Sequence, residues 1–270
     1  TLTDQEASQK AVLEDAYAVD VFDLAERAED AKLVVRGERF YEAEKLERAL
    51  NTFREAMQYI SAAYYPASLV FYPMESNLGY RPGVSKEVFA CLDDEQVNVY
   101  RDICNQLVLP SVSKEKPAVI GISIGTQMQL MAGLTFCKMI KESFPEIRVV
   151  VGGNVVTRLQ EEWAHHERFF TEVFDAAILY EGEHALLWYL EAVNGQRAID
   201  QVPNLMYRDA DGVKQSKEVY TEKTSALPLP DFDGLPLDNY FVPERIIPYL
   251  ATRGCYWGRC TFCDHGQGYF

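Results

Sequence analysis

The sequence of 270 residues has no excess of positive charge, no long apolar run and no leader-like start. Asp and Glu outnumber Lys and Arg by 41 to 26, which gives a net charge of −15 at pH 7. Such a chain would repel a phosphate backbone. No segment approaches the roughly 18 to 20 apolar residues of a membrane span, and TLTDQEASQK lacks the basic and apolar regions of a signal peptide. We therefore expect a cytoplasmic protein with neither nucleic acid nor a membrane as its main partner.

Two common nucleotide fingerprints are also missing. Neither G-x-G-x-x-G nor G-x-x-x-x-G-K-[S/T] occurs in the chain, so nicotinamide, flavin and nucleoside triphosphate sites lack their usual support. The 48% hydrophobic content nevertheless indicates a folded globular protein. Residues 1–65 are rich in Ala, Glu and Leu and poor in Gly and Pro, which predicts an N-terminal region of two or three amphipathic helices.

From residue 66 to residue 200, strand-like and helix-like segments alternate. The segment ASLVFYP predicts a first buried strand, and AVIGISI, RVVVGG and FDAAILYEGE predict three more. Helical patterns occupy QMQLMAGLTFCKMIKESF and HALLWYLEAV. Alternation of this kind predicts an α/β domain with an open, doubly wound, Rossmann-like parallel sheet.

Small and polar residues follow three of these strands. They are Ser123 and Thr126, then Gly152, Gly153 and Asn154, and then Glu181, Gly182 and Glu183. Ligands of doubly wound sheets bind beyond the carboxyl ends of the strands, at the switch in strand order. Small residues let a large ligand approach the backbone, while hydroxyl and amide groups offer hydrogen bonds. A glycine pair after a strand also fits a simple tight turn, and the residues alone leave both interpretations open.

Residues 201–244 are predicted to be a hairpin and a proline-rich linker. The hairpin is expected in VPNLMYRDADGVKQ, with a turn at Asp211 and Gly212. Four prolines then interrupt LPLPDFDGLPLDNYFVP. The segment RIIPYLATRGC predicts a final strand that leads into the cysteine-rich stretch, within a last region of residues 245–270.

Three of the six cysteines lie close together in RGCYWGRCTFC. Cys255, Cys260 and Cys263 have the spacing Cys-x4-Cys-x2-Cys. In a reducing compartment such a cluster indicates a metal or catalytic site rather than disulfides. Soft thiolates select zinc, copper(I) or an iron-sulfur cluster, and His265 offers a fourth ligand for a structural Cys3His zinc site. Cys91, Cys104 and Cys137 are scattered, and we expect them to be buried apolar residues.

The stretch RGCYWGRCTFC resembles the cluster loop of the radical S-adenosylmethionine (SAM) enzymes. The run from about Ser68 onward is similar to their cobalamin-binding subgroup, in which GISI, VVVGG and YEGE segments precede a proline-rich linker and a (β/α) barrel. The resemblance implies that Cys255, Cys260 and Cys263 hold a [4Fe-4S] cluster. The open iron of that cluster chelates SAM, and one electron cleaves SAM to a 5′-deoxyadenosyl radical.

The resemblance also implies further contacts and partners. Phe262 would lie near the adenine of SAM, while the three strand-end loops would surround cobalamin and its nucleotide tail. An electron donor such as flavodoxin or ferredoxin and a small-molecule or peptide substrate are the expected partners. Methyl transfer is the leading expected activity. In the family the substrate pocket lies in the barrel, most of which this chain lacks. We therefore expect the chain to be a truncated enzyme that is inactive by itself.

Two features depart from the family pattern. The family's commoner spacing is Cys-x3-Cys-x2-Cys, and no Asp-x-His-x-x-Gly motif supplies a histidine to cobalt. Two alternatives stay open: a radical SAM enzyme whose sheet binds no cobalamin, and a zinc-stabilised interaction module.

Overall fold

The computed structural model describes residues 4–71, 75–249, 253–255, 257 and 259–262 and has a mixed α/β fold. The α-helices are α1 (Asp4–Tyr17), α2 (Val21–Val35), α3 (Ala43–Ala63), α4 (Ser85–Asp93), α5 (Val99–Ile103), α6 (Leu109–Glu115), α7 (Leu130–Ser143), α8 (Asn154–Arg158), α9 (Gln160–His165), α10 (Arg168–Glu172) and α11 (Glu183–Val193). The strands are β1 (Ser68–Val70), β2 (Glu75–Asn77), β3 (Val119–Ser123), β4 (Arg148–Gly152), β5 (Ala176–Ile178), β6 (Leu205–Asp209) and β7 (Gly212–Gln215). No described helix reaches the length and apolar content that a bilayer crossing requires.

Two compact units make up the chain. The first comprises Thr1–Arg81, Asp94–Val99 and Leu229–Tyr249, and the second comprises Pro82–Asp93, Tyr100–Pro228 and Leu250–Phe270. Each unit is therefore assembled from segments that are far apart in the sequence.

The first unit is built on the packing of α2 against α3. Ala31 and Val35 of α2 and Ala49 and Phe53 of α3 form its buried cluster, as the amphipathic patterns of these helices predict. Phe241, from the predicted linker, stacks on Phe53 with ring centroids 5.2 Å apart. The end of the proline-rich segment is thus part of the packing of the helical unit.

The segment predicted as the first strand of the large sheet lies elsewhere. β1 pairs antiparallel with β2, with Leu69 opposite Ser76, and these two strands form a separate sheet in the first unit. The prediction that ASLVFYP is a buried strand of the open sheet is wrong. A short apolar run does not specify its partner strand, because pairing depends on residues elsewhere in the chain.

The large sheet of the second unit has the strand order β3-β4-β5-β6-β7. β3, β4 and β5 are parallel, whereas β6 and β7 are each antiparallel to the preceding strand. The α/β class is confirmed, but the sheet is mixed rather than wholly parallel. The predicted hairpin causes the difference, since its first strand pairs with β5 and extends the sheet.

Helices cover both faces of this sheet. On one face α7 packs closely on β3 and the residue after it, since a Cβ on Gly133 would lie 3.6 Å from the side chain of Ile122 and 2.9 Å from that of Ile124. On the other face Ala185 and Tyr189 of α11 pack against Val150 and neighbouring residues of β5 and β6. The valines of β4 are almost fully buried, which explains the continuous apolar pattern of this strand.

The predicted final strand is not formed in the described residues. Residues 245–249 and 253–255 have no strand structure, and Ile246 and Tyr249 are 69% and 62% exposed. A strand is stable only beside a neighbour that satisfies its backbone hydrogen bonds. No described strand pairs with this segment.

Candidate functional site

An open cleft of about 860 Å³ lies at the carboxyl ends of β3, β4 and β5. Most of the predicted cofactor contacts line it, namely Ser123, Gly152, Gly153, Asn154, Glu181, Gly182 and Glu183. The volume is in the range of small-molecule sites. The strand order shows no reversal among the described strands, so the cleft does not lie at the switch point that the prediction assumed.

The floor of the cleft is one face of β3 and β4. Gly121 is opposite Val150, and Ser123 is opposite Gly152, so these paired residues share a face of the sheet. Among the described residues, a Cβ on Gly121 would contact only the Val150 side chain, at 3.9 Å. The floor is therefore open above Gly121, and an added side chain there would enter the cleft.

The two glycines after β4 have different roles. Gly153 has φ of +103°, and a Cβ there would lie 2.7 Å from the carbonyl oxygen of Ile124. A Cβ on Gly152 would lie 3.5 Å from the carbonyl oxygen of Ile178, an ordinary contact. Glycine is thus required at position 153 for the tight turn into α8. This agrees with the interpretation of the glycine pair as a turn.

Thr126 acts as a helix cap. Its side chain accepts a hydrogen bond from the backbone of Gln129, and Gln129 Oε1 accepts from the Thr126 backbone N–H at 3.1 Å. These reciprocal bonds form a capping box at the start of a short 3₁₀ turn. Thr126 does not line the cleft, and its hydroxyl has a structural partner.

Glu181 is the most buried acidic residue of the cleft, with 4% exposure. Its Oε1 accepts a hydrogen bond from Arg253 Nη1 at 3.0 Å, and its Oε2 accepts from the backbone N–H of Glu222. The Asn204 side-chain amide donates to the carbonyl oxygen of Glu181 at 3.0 Å. Each carboxylate oxygen of Glu181 therefore has a protein partner.

A second buried carboxylate, Glu222, orients His184 at the start of α11. His184 Nδ1 is 2.7 Å from Glu222 Oε2, and the His184 backbone N–H donates to Glu222 Oε1 at 2.9 Å. The side chain of Glu222 is 2% exposed, whereas that of His184 is 43% exposed. Glu222 thus joins the segment after β7 to the loop after β5.

Arg253 connects the cysteine segment to the cleft. Its guanidinium donates to Glu181 and, through Nη2, to Glu183. Burial acts to raise the pKa of Glu183, but the hydrogen bond and charge of Arg253, together with backbone hydrogen bonds from Glu183 and Gly182, outweigh burial and lower that pKa below its ordinary value. The hydrogen bond with Glu183 in turn raises the pKa of Arg253, so both groups stay charged at neutral pH.

Two of the three predicted metal ligands can be located. Cys255 and Cys260 are exposed, and Phe262, the predicted adenine contact, is 91% exposed. Cys263 and His265 lie outside the described residues. Within the described part of the chain, which leaves out Cys263, no three His, Cys, Asp or Glu side chains form a metal-binding group.

The scattered cysteines are buried, as predicted. Cys91, Cys104 and Cys137 are each 0% exposed. Burial raises the pKa of Cys104 to about 11, and it also raises the pKa of Cys137 well above its ordinary value. Cys104 and Cys137 are therefore protonated at neutral pH and are poor nucleophiles.

Sequence reasoning missed Arg253, Glu222 and His184. The sequence contains a weak indication of a role for Arg253, since it is a basic residue beside the cysteines in an acidic chain. No sequence pattern indicates a role for Glu222, because that role depends on contacts with the loop that follows β5 and the start of α11. Only the folded chain brings these residues together.

Comparison with known proteins finds no match, since no family model fits the sequence and no curated protein or solved structure is significantly similar to it.

Proposed function

We propose that the cleft binds part of a cobalamin cofactor and that Cys255, Cys260 and Cys263 hold a [4Fe-4S] cluster for SAM. The chain would then belong to a cobalamin-dependent radical SAM enzyme, with methyl transfer to an unactivated carbon or phosphorus as the leading reaction. The sheet unit is its Rossmann-like cobalamin domain. The observation that carries this proposal is a single cleft bounded by three strand ends and by Arg253 and Gly254, which directly precede Cys255.

The cleft fits one portion of a large cofactor. Its walls combine the apolar side chains of Ile122, Ile178 and Leu186 with the polar side chains of Ser123 and Asn154. A nucleotide tail has an apolar ring face and several hydrogen-bonding groups, so a mixed surface of this kind suits it. The open space above Gly121 lets such a ligand lie directly on the sheet.

The cysteine segment fits an iron-sulfur cluster in its donor chemistry. Cys255 and Cys260 are exposed, and cysteine thiolates are the usual ligands of such clusters. When bound, the cluster and cobalamin supply the electron and the methyl group. Cys255, Cys260 and Cys263 would hold the cluster, and the residues that line the cleft would hold part of the cobalamin.

Metal analysis tests the cluster. The chain, purified anaerobically and reconstituted with iron and sulfide, should hold about four irons and four sulfides per chain. Cys255→Ala and Cys260→Ala should lose most of the iron. Cys104→Ala, which removes a buried thiol away from the segment, should retain it. One zinc per chain without iron, or no metal at all, would contradict the proposal.

A spectroscopic titration with hydroxocobalamin tests the cleft. Gly121→Leu should weaken binding by about tenfold or more, because its side chain would occupy the floor and remove apolar contacts. Gly83→Leu is the matched control, since no atom of a described residue lies within 4 Å of a Cβ built there. If wild type takes up iron but no corrinoid, the sheet has another role in a radical SAM enzyme.

A further inference from the structure

Tyr180 has a backbone conformation that bulky residues rarely adopt. It follows the end of β5 and has φ of +60°. The other described residues with positive φ, apart from glycines, are Lys116 and Asn204. Lys116 ends α6, where this conformation is common, and asparagine tolerates it. Neither reason applies to Tyr180, so its backbone is strained, and strained residues are often found where a ligand binds.

Hydrogen bonds at both ends of Tyr180 hold it in this conformation. Its backbone N–H donates to Thr157 Oγ1 at 2.7 Å, and its hydroxyl donates to Gln160 Oε1 at 3.0 Å. Gln215 Nε2 donates to the same oxygen of Gln160 at 3.1 Å. Thr157 in α8 is itself buried, with 5% exposure. The position of the tyrosine ring is therefore fixed by the fold and does not require a ligand.

Tyr180 gives the cleft an aromatic wall. It is half-buried, and it is the only aromatic residue among the described residues that line the cleft. Arg253 is the only cation among these residues, and it already pairs with Glu181 and Glu183. A phosphate or carboxylate would thus meet no unpaired cation in this part of the cleft. The face of an aromatic ring suits an uncharged planar group instead.

We infer that Tyr180 is a specificity-determining residue whose ring packs against an uncharged, planar ring of the ligand in the cleft. This inference rests on the proposed function, because the nucleotide base of cobalamin is a ring of this kind. The inference also explains the strain at Tyr180. Asparagine or glycine would suit the backbone better, but neither offers a ring to the ligand.

The contact is tested by spectroscopic titration with hydroxocobalamin and with cobinamide, a corrinoid that lacks the nucleotide and its base. Wild type should bind hydroxocobalamin about tenfold or more tighter than cobinamide. Tyr180→Asn should weaken hydroxocobalamin binding by about fivefold or more and leave cobinamide binding within about twofold. Tyr180→Phe, which keeps the ring, should retain the wild-type preference. Lys116→Asn is the matched control, because it introduces asparagine in the same backbone region at a residue that does not line the cleft.

Thermal unfolding of the chain without cofactors distinguishes a role in binding from a role in folding. Because asparagine tolerates the backbone conformation, the melting temperature of Tyr180→Asn should lie within about 5 °C of wild type. A larger fall would assign the ring to folding and overturn the inference. Equal affinities of wild type and Tyr180→Asn for hydroxocobalamin would also overturn it, while the proposed function would stand. If wild type binds neither corrinoid, the cobalamin proposal and this inference both fail.

Discussion

The two halves of one face of the large sheet differ in what covers them. Over β5 and β6, α11 contributes Ala185 and Tyr189 to a buried apolar cluster that includes Leu205. Over β3 and the carboxyl end of β4 the same face carries Gly121 and Gly152, which line the cleft. The covered half is packed for stability, whereas the open half leaves backbone accessible to a ligand.

The largest expected effect of this difference is on folding stability. Leu205→Ala in the covered half should lower the free energy of unfolding by about 2 to 5 kcal/mol, because it removes buried methyl groups and leaves a cavity. Gly121→Ala in the open half should change it by less than about 1 kcal/mol. Urea denaturation of both variants measures the two effects. Similar losses at both positions would show that the open half is also a packed core.

The next effect distinguishes the two glycines after β4. Gly153→Ala should destabilise the protein by about 1 to 3 kcal/mol or more, because its backbone region strongly favours glycine. Its Cβ would also clash with the Ile124 carbonyl oxygen. Gly152→Ala should cost less than about 1 kcal/mol, since its Cβ makes only ordinary contacts. Thermal unfolding of the pair provides the comparison, and a harmless Gly153→Ala would contradict the required turn.

Local patterns predicted the elements of the covered and open halves well. The apolar runs of β3 and β4 and the helical periodicity of α7 and α11 are properties of short segments, and the structure has each of them. The alternation of strands and helices also predicted a cleft at the strand ends, where Ser123 and Gly152 lie.

Pairing between distant segments could not be predicted in the same way. The hairpin was expected, but its addition to β5 depends on the exposed edge of that strand. Phe241 was assigned to a linker because prolines surround it, yet it stacks on Phe53. Glu222 and Arg253 reach Glu181 from 41 and 72 residues away. In each case the contact depends on the tertiary fold. Local composition and periodicity do not indicate which distant residue will be the partner.

The smallest expected effect concerns the ion pair at the edge of the open half. Because the folded-state pKa of Glu183 is lowered, the native state favours its charged form. The resulting stabilisation is fully present above the ordinary pKa of 4.5 and is lost as the pH falls through the lowered value. The side chain of Glu183 is 41% exposed, so solvent screening limits the contribution to less than about 1 kcal/mol.

Glu183→Gln isolates this contribution, because the amide keeps the shape of the side chain and does not titrate. Between pH 7 and pH 3 the stability of wild type should fall more than that of Glu183→Gln, measured by urea denaturation at each pH. Glu218→Gln, at an exposed position, should follow wild type. Since Arg253 stays charged throughout this range, the difference between the curves reports Glu183 alone. Identical curves for wild type and Glu183→Gln would contradict the lowered pKa of Glu183 and show that its pair with Arg253 adds no measurable stability.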